Sequence, residues 1–459
     1  ARELAAALSE TLAGALPADE PAPKVTVVGP DTVGPLRGAT PEERARAARE
    51  LAAQINATVV IGGEVDFSDP NSIIRPDATL NPQALANSPD LGGSWRLGDL
   101  QYPGTLSDAD TVDKLLASLR DATGGVQDLL RGIAYYQRID GVPSSAVPGA
   151  PIEPGSVQAN RDAARAAFER AAQAATLPDE GRAAAHAFLG SLALLRVDLP
   201  AAQAEFDQAA ALNPTSTRAR LGQAEVRFQL SNGAGCAVGT VDGARLTAAA
   251  EAFSSISPEA VDPPGTTVKA RLGTARALRC RSQAGLSDDF TAVRESLTQV
   301  IADGEGQPHL VELVAAAYAE RALVAAPAAG DGSDVPALEA ALADTQLAID
   351  TTRRDQNEAV YEWQKAFYLQ VLGRAAEATE ALGRAAALDV SFAPVGLEDL
   401  VPQAGSRLVA TGEGASFSLP GYALAFTGAA TWPLTGVGAL LVALGLLATA
   451  GSRRRLAAG

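Results

Sequence analysis

Methionine is absent from the 459 residues, and histidine and cysteine occur only twice each. So little histidine removes the commonest general base from most of the chain. His186 lies within a helical pattern and reads as packing, and His309 follows Pro308 at a helix start and reads as exposed. No G-x-S-x-G or H-E-x-x-H pattern occurs, so we assign no catalytic residues. Neither Cys236 nor Cys280 has a second Cys or a His at ligand spacing, so we assign no metal and no cofactor. Lysine is confined to Lys24, Lys114, Lys269 and Lys365, and the formal net charge is −17. With no basic cluster before the extreme C-terminus, the chain does not read as a nucleic-acid binder. Hydrophobic residues still make up 47%, a composition that folds.

The chain starts at Ala1 without an initiator, so either a signal was removed or this is a piece of a longer protein. Residues 1–30 carry no charged-then-apolar export signal. The two cysteines each fall at or just after a helix end in neighbouring segments. A disulfide and two separate buried thiols are both open readings. Closing that 44-position loop would stabilise by roughly 4 kcal/mol in the chain-entropy model.

The C-terminal end is the most specific part. From Gly414 to Ser452 no residue is charged, and Leu434–Ala450 is nearly all apolar. As a helix with Ala429–Pro433 added, this stretch is long enough for one transmembrane span, at about residues 429–451. Trp432 sits where an interfacial aromatic belongs, and Arg453, Arg454 and Arg455 form a basic tail that the positive-inside rule holds in the cytoplasm. Just upstream lies Leu424-Ala425-Phe426-Thr427-Gly428, flanked by the helix-discouraging Pro420 and Gly421. Pentapeptide, apolar span and basic tail together resemble a sortase sorting signal of the LPxTG type. Ala425 makes it the LAxTG form associated with class E sortases of high-GC Gram-positive bacteria such as actinobacteria. The heavy use of Ala, Gly, Arg and Pro agrees with such a source. The resemblance implies attack by a sortase cysteine on the Thr427–Gly428 bond and transfer of the chain to a cell-wall peptidoglycan amine. It implies an exported body held outside the cell. A plain membrane anchor with a chance pentapeptide is the alternative.

Residues 183–214 pair two helical segments. Leu189 and Gly190 lie on the first, Ala202, Phe206 and Ala209 on the second, and Pro214 ends the unit. This resembles a tetratricopeptide repeat, a 34-residue helix–turn–helix. His186 and Ala193 depart from the family's aromatic positions. Residues 359–390 repeat the pattern with Gly373, Ala378, Ala385, Leu388 and Asp389. Residues 125–176 do so more loosely, with Gly132, Tyr135, Phe168 and Ala171 around a Gly141–Gly155 insert. Weaker units cover 215–257, 265–303 and 307–351, interrupted at Asn232–Gly243 and Ala328–Pro336. Five or six helical pairs in a right-handed stack are expected. The family implies a concave surface that holds a peptide or protein.

Ahead of the array, residues 1–15 read as a helix, Lys24–Gly29 as a strand, and Thr40–Ile55 as a helix capped by Thr40 with Glu43 at N3. Thr58–Phe67, Ser72–Leu80 and Ser94–Leu97 read as strands. The order suggests a small α/β domain. It resembles the N-terminal domain of TolB and its relatives, which implies a non-catalytic module. Gly62–Gly63 reads as a bend or bulge. Asp108, Asp110 and Asp113 read as an acidic helix start rather than a calcium loop.

The expected architecture is therefore mostly α. A tetratricopeptide-like solenoid at 111–390 follows an α/β domain at 1–110. A linker at 391–423 and a sorting signal with a single transmembrane helix at 424–459 complete it. The expected function is a surface-anchored scaffold. Its partners would be the sortase, the wall peptidoglycan, the membrane through the C-terminal helix, and an unknown protein or peptide on the repeats. Two other readings stay open: a stalk displaying the N-terminal domain, and accessory modules of a longer envelope protein with an upstream catalytic domain.

Overall fold

The computed structural model describes residues 40–66, 71–85, 88–98, 100–103, 109–139, 157–231, 236, 241–256, 265–287, 289–328 and 334–389, with isolated positions before 40. The sorting pentapeptide Leu424–Gly428, the apolar span, Arg453–Arg455 and the 391–423 linker lie outside these residues, as does most of 1–39. Among the described residues no helix is long and apolar enough to cross a membrane.

Helix α1, Pro41–Ile55, starts where the sequence places it. The Thr40 hydroxyl accepts the Glu43 amide at 3.2 Å, and the Glu43 carboxylate accepts the Thr40 amide at 3.3 Å. This reciprocal pair satisfies two donors that the first turn cannot bond internally. Strands β1 (Val59–Asp66), β2 (Asn71–Leu80), β3 (Gly93–Arg96) and β4 (Leu100–Pro103) follow. All pairings are antiparallel. β1 lies on one edge of the long β2, and β3 and β4 lie end to end along the other.

Three local expectations are corrected here. Val27–Gly29, the described part of the expected first strand, joins no ladder; an apolar run specifies burial, not a hydrogen-bonding partner. β4 was missed, because its four residues show no alternation long enough to register. Gly62–Gly63 makes no bulge, since β1 pairs with β2 in unbroken register from Val59 to Asp66. The absent side chain at Gly62 instead admits Leu36: a Cβ there would lie 2.2 Å from Leu36 Cδ1.

Twelve helices follow: α2 (Ala109–Ile139), α3 (Val157–Gln173), α4 (Asp179–Leu194), α5 (Leu199–Leu212), α6 (Thr217–Ser231), α7 (Gly243–Ser254), α8 (Gly265–Gln283), α9 (Phe290–Gly304), α10 (Val311–Ala328), α11 (Val335–Thr351), α12 (Asp355–Val371) and α13 (Ala375–Leu388). Each packs chiefly on its neighbours in sequence, which makes six helical pairs. Two devices recur along them. The second helix of four pairs begins with an aspartate cap: Asp198, Asp242, Asp289 and Asp334 each accept the amide three residues on, at 3.0–3.2 Å. Those caps step by 44, 47 and 45 positions, longer than the 34-residue tetratricopeptide unit. The second device is an aromatic ring seated on a glycine. A Cβ at Gly132 would lie 2.4 Å from the Phe168 ring, and one at Gly273 would lie 2.6 Å from Phe253. Phe206 is gripped from both sides, by Gly190 of its own pair and Gly222 of the next, at 2.8 Å and 2.2 Å from the Cβ positions. No other residue permits this approach, so these glycines set how closely the pairs stack.

The expected packing residues behave accordingly. Leu189, Ala202, Phe206 and Ala209 are buried. Pro214 is the exception: it is exposed, one residue beyond the Asn213 cap, and it ends the unit without packing in it. In the first pair the fully buried ring belongs to Tyr136, not Tyr135, which is only half-buried.

The core does not stop at the sheet. Leu80, Leu85, Leu91, Trp95 and Leu97 share one apolar cluster with Tyr136, Phe168 and Phe188 of α2–α4. The Phe168 and Phe188 rings stack at 4.7 Å, and Tyr136 meets Phe188 edge-on at 5.3 Å. One face of the sheet thus packs on the array and the other on α1.

Candidate functional site

Curvature tells the two sides of the array apart. Among the first helices of the pairs, α4 touches α6, α6 touches α8 and α8 touches α10, besides their contacts with sequence neighbours. Those first helices therefore form the inner row, the concave side on which repeat arrays hold partners. Two sets of contacts occupy it.

The first comes from the chain's own N-terminal layer. Described residues between Ala84 and Arg96 contact four of the first helices. Ser88 Oγ meets the Tyr136 hydroxyl of α2 at 3.1 Å, and Gln137 donates to the Ala84 carbonyl at 3.2 Å. The Arg96 amide donates to Glu180 of α4 at 2.9 Å. Arg218 of α6 donates from Nε to the Gly92 carbonyl at 2.9 Å and lies over the Trp95 ring at 5.6 Å. Lys269 of α8 donates to Asp90 at 2.6 Å, with the two side chains 3% and 8% exposed. Two opposite charges so deeply buried must satisfy each other, because water does not reach them.

The second set links the inner helices to one another. Arg276 and Arg279, one turn apart on α8, clamp Glu320 of α10 at 3.0 and 2.6 Å, and Arg279 also reaches Gln283. Arg276 lies over the Phe228 ring of α6 at 4.9 Å. Gln364 of α12 donates to the Ala319 carbonyl at 3.1 Å. Glu312, at the start of α10, accepts from the Thr352 hydroxyl, the Arg353 amide and Asn357 at 2.6, 2.8 and 2.7 Å, closing the turn into α12. Two buried groups stand out. Burial raises the Glu225 carboxyl of α6 above the carboxylate range, although Arg276, Gln229 and Lys269 oppose the rise. Burial likewise pushes the Tyr361 hydroxyl well up, helped by the charges of Glu312 and Glu320. Among the described residues, one oxygen of Glu225 and the Tyr361 hydroxyl have no hydrogen-bond partner.

The remaining residues marked in the sequence scatter. Cys236 and Cys280 are joined in a disulfide, with Cα atoms 4.9 Å apart, tying the α6–α7 connection to the end of α8. His186 is half-buried and bonds Glu205 of α5 through Nδ1 at 2.7 Å, a contact inside one pair. His309 is not exposed as expected: its Nε2 is buried with no partner among the described residues, and burial lowers its basicity. Among the described residues neither histidine hydrogen-bonds another sequence-marked residue. Among the described residues no group of three or more His, Cys, Asp or Glu could hold a metal ion. Sequence reading missed the whole inner network. Its one visible trace was the placement of charged residues at helix positions where periodicity asks for apolar ones, as at Lys269, Arg276 and Glu320.

A second concavity lies in the N-terminal layer. A cleft of about 290 Å³ opens between α1 and the sheet face that carries Asp77, Thr79, Ser94 and Arg96. No protein-family model and no curated protein matches the chain.

Proposed function

We propose that the chain is a surface-anchored scaffold that holds a protein or peptide partner on a tetratricopeptide-like array, tethered through Leu424–Gly428 and the apolar span to wall or membrane. The observation behind the scaffold half is the stack of six helical pairs. Glycine–aromatic joints and inner-row ion pairs set their spacing and make one long, rigid surface. The anchor half rests on the order of pentapeptide, apolar stretch and basic tail in the sequence. Sortase and peptidoglycan are its processing enzyme and acceptor in this reading.

One observation favours a second reading, in which the array displays the N-terminal layer. That layer is clamped to α2, α4, α6 and α8 by Tyr136, Glu180, Arg218 and Lys269. It therefore already covers much of the inner row and is held at a fixed position.

Photo-crosslinking separates the two. A crosslinker would be placed at the exposed array positions Leu230, Leu286, Val335 or Leu347, or at the exposed layer position Ile55. Adducts on intact cells from array positions support partner binding by the repeats. Adducts from Ile55 alone support display, and none at any position removes both readings. For the anchor, mass spectrometry of wall-released protein should find a C-terminus at Thr427. An intact Arg453–Arg455 tail in the membrane fraction leaves a plain anchor and removes the sortase step.

A further inference from the structure

We propose that the cleft between α1 and the sheet binds a neutral polyhydroxyl ligand the size of one sugar ring. The register makes the polar floor. Asp77 pairs with Arg96 and Thr79 with Ser94 across β2 and β3, so two acid–base and two hydroxyl groups sit in a square facing α1. Thr79 and Ser94 share a hydrogen bond at 2.8 Å. Arg96 pairs with Asp77, Nε to Oδ1 at 3.7 Å, and a carboxylate has more lone pairs than one guanidinium takes, so Asp77 keeps acceptor capacity. Burial raises the Asp77 carboxyl even with Arg96 and Arg44 beside it.

Charge balance selects the ligand class. Arg44 is paired with Glu64 at 3.0 Å, and Arg75 lies 3.7 Å from the same carboxylate. Glu180 stands at the rim. Of the groups that line the cleft, an anion would meet Asp77 and Glu180, and a cation would meet Arg44 and Arg96. An apolar molecule would desolvate these charged and hydroxyl groups while offering them no hydrogen bonds. Neighbouring hydroxyls on one ring instead donate to a carboxylate and accept from a guanidinium or hydroxyl at once. Ala45 and Ala48 of α1 supply an apolar wall for a ring's C–H face. A volume near 290 Å³ leaves room for one ring.

Isothermal titration and saturation-transfer NMR on the full chain would use glucose, galactose and N-acetylglucosamine as probes, with acetate and methylammonium as charged controls. At least one sugar should bind at millimolar concentration. D77N and S94A should each weaken it about tenfold, the loss expected for a hydrogen bond of this kind, with circular dichroism and Tm unchanged. If D77N loses fold, S94A carries the test alone. Silence from all three sugars, binding unchanged in the folded variants, or preference for either charged control overturns the proposal.

Discussion

Replacing Asp90 with Asn removes the carboxylate that faces Lys269 Nζ at 2.6 Å and leaves a buried ammonium short of its counter-charge. Removing one partner of a buried pair costs about 3–5 kcal/mol, most of it the desolvated charge left behind. Glu225 moderates that cost. It feels both Asp90 and Lys269, and Asp90 helps to hold its carboxyl up. Without Asp90, Glu225 ionises more readily and takes over part of the neutralisation, which sets the expected loss at the low end, about 3 kcal/mol. Residues 41–389 number 349, so the unfolding entropy is about 0.7 kcal/mol per degree and the Tm falls by about 4 °C. Trp95 lies in the layer that the pair attaches, which makes its fluorescence the local reporter once Trp363 and Trp432 are changed to Phe. The double variant D90N/K269M should recover most of the loss, because it removes the buried ammonium as well. Adding E225Q to D90N should deepen the loss. The reasoning fails if D90N costs less than about 0.5 kcal/mol, the range of an ordinary surface change. It fails equally if D90N/K269M is no better than D90N.

Three further outcomes are expected. G222A should destabilise by about 1–3 kcal/mol or more through overpacking against Phe206, measured by urea unfolding, whereas G383A, with nothing near its Cβ position, should not. C236A/C280A should cost about 4 kcal/mol in the loop-entropy model, read as a lower Tm than wild type. Glu225 provides a pH signature. Its folded-state carboxyl titrates above the unfolded one, so the folded state binds the extra proton, and stability falls as pH rises from the unfolded value through the folded one. E225Q, which mimics the protonated form, should flatten that decline in pH-dependent thermal melts and leave the most acidic points unchanged. An undiminished decline would assign it to another group.

Much of the helical order was legible because its causes are local. The Thr40–Glu43 capping box, the 3.6-residue periodicity and the breaks at Asn213–Pro214 all act within a few positions of the residues that carry them. The period of the array was less legible. Tetratricopeptide likeness was read from the 183–214 unit, and the aspartate caps at Asp198, Asp242, Asp289 and Asp334 show a longer step once the helices are seen. Asp is too common in this acidic chain to signal a cap without its helix. Among the aromatic joints, Phe206 and Gly190 were found together because one unit contains both. Its second glycine, Gly222, belongs to the next pair, and Phe253 with Gly273 is split between pairs in the same way.

The sequence alone determined that the chain is mostly helical and, to within a residue or so, where α1, β1, β2 and β3 begin and end, since caps, glycines and apolar spacing are properties of neighbouring residues. The proposed anchor likewise rests on neighbouring residues alone, the pentapeptide, the apolar stretch and the basic tail. Tertiary structure decided how the sheet joins the array, that Cys236 and Cys280 bond, and that an acid at position 90 neutralises a lysine 179 residues away. Those are facts about burial. A charge on a helix says nothing in sequence about whether water or a carboxylate will face it, and only the packing of distant segments settles which.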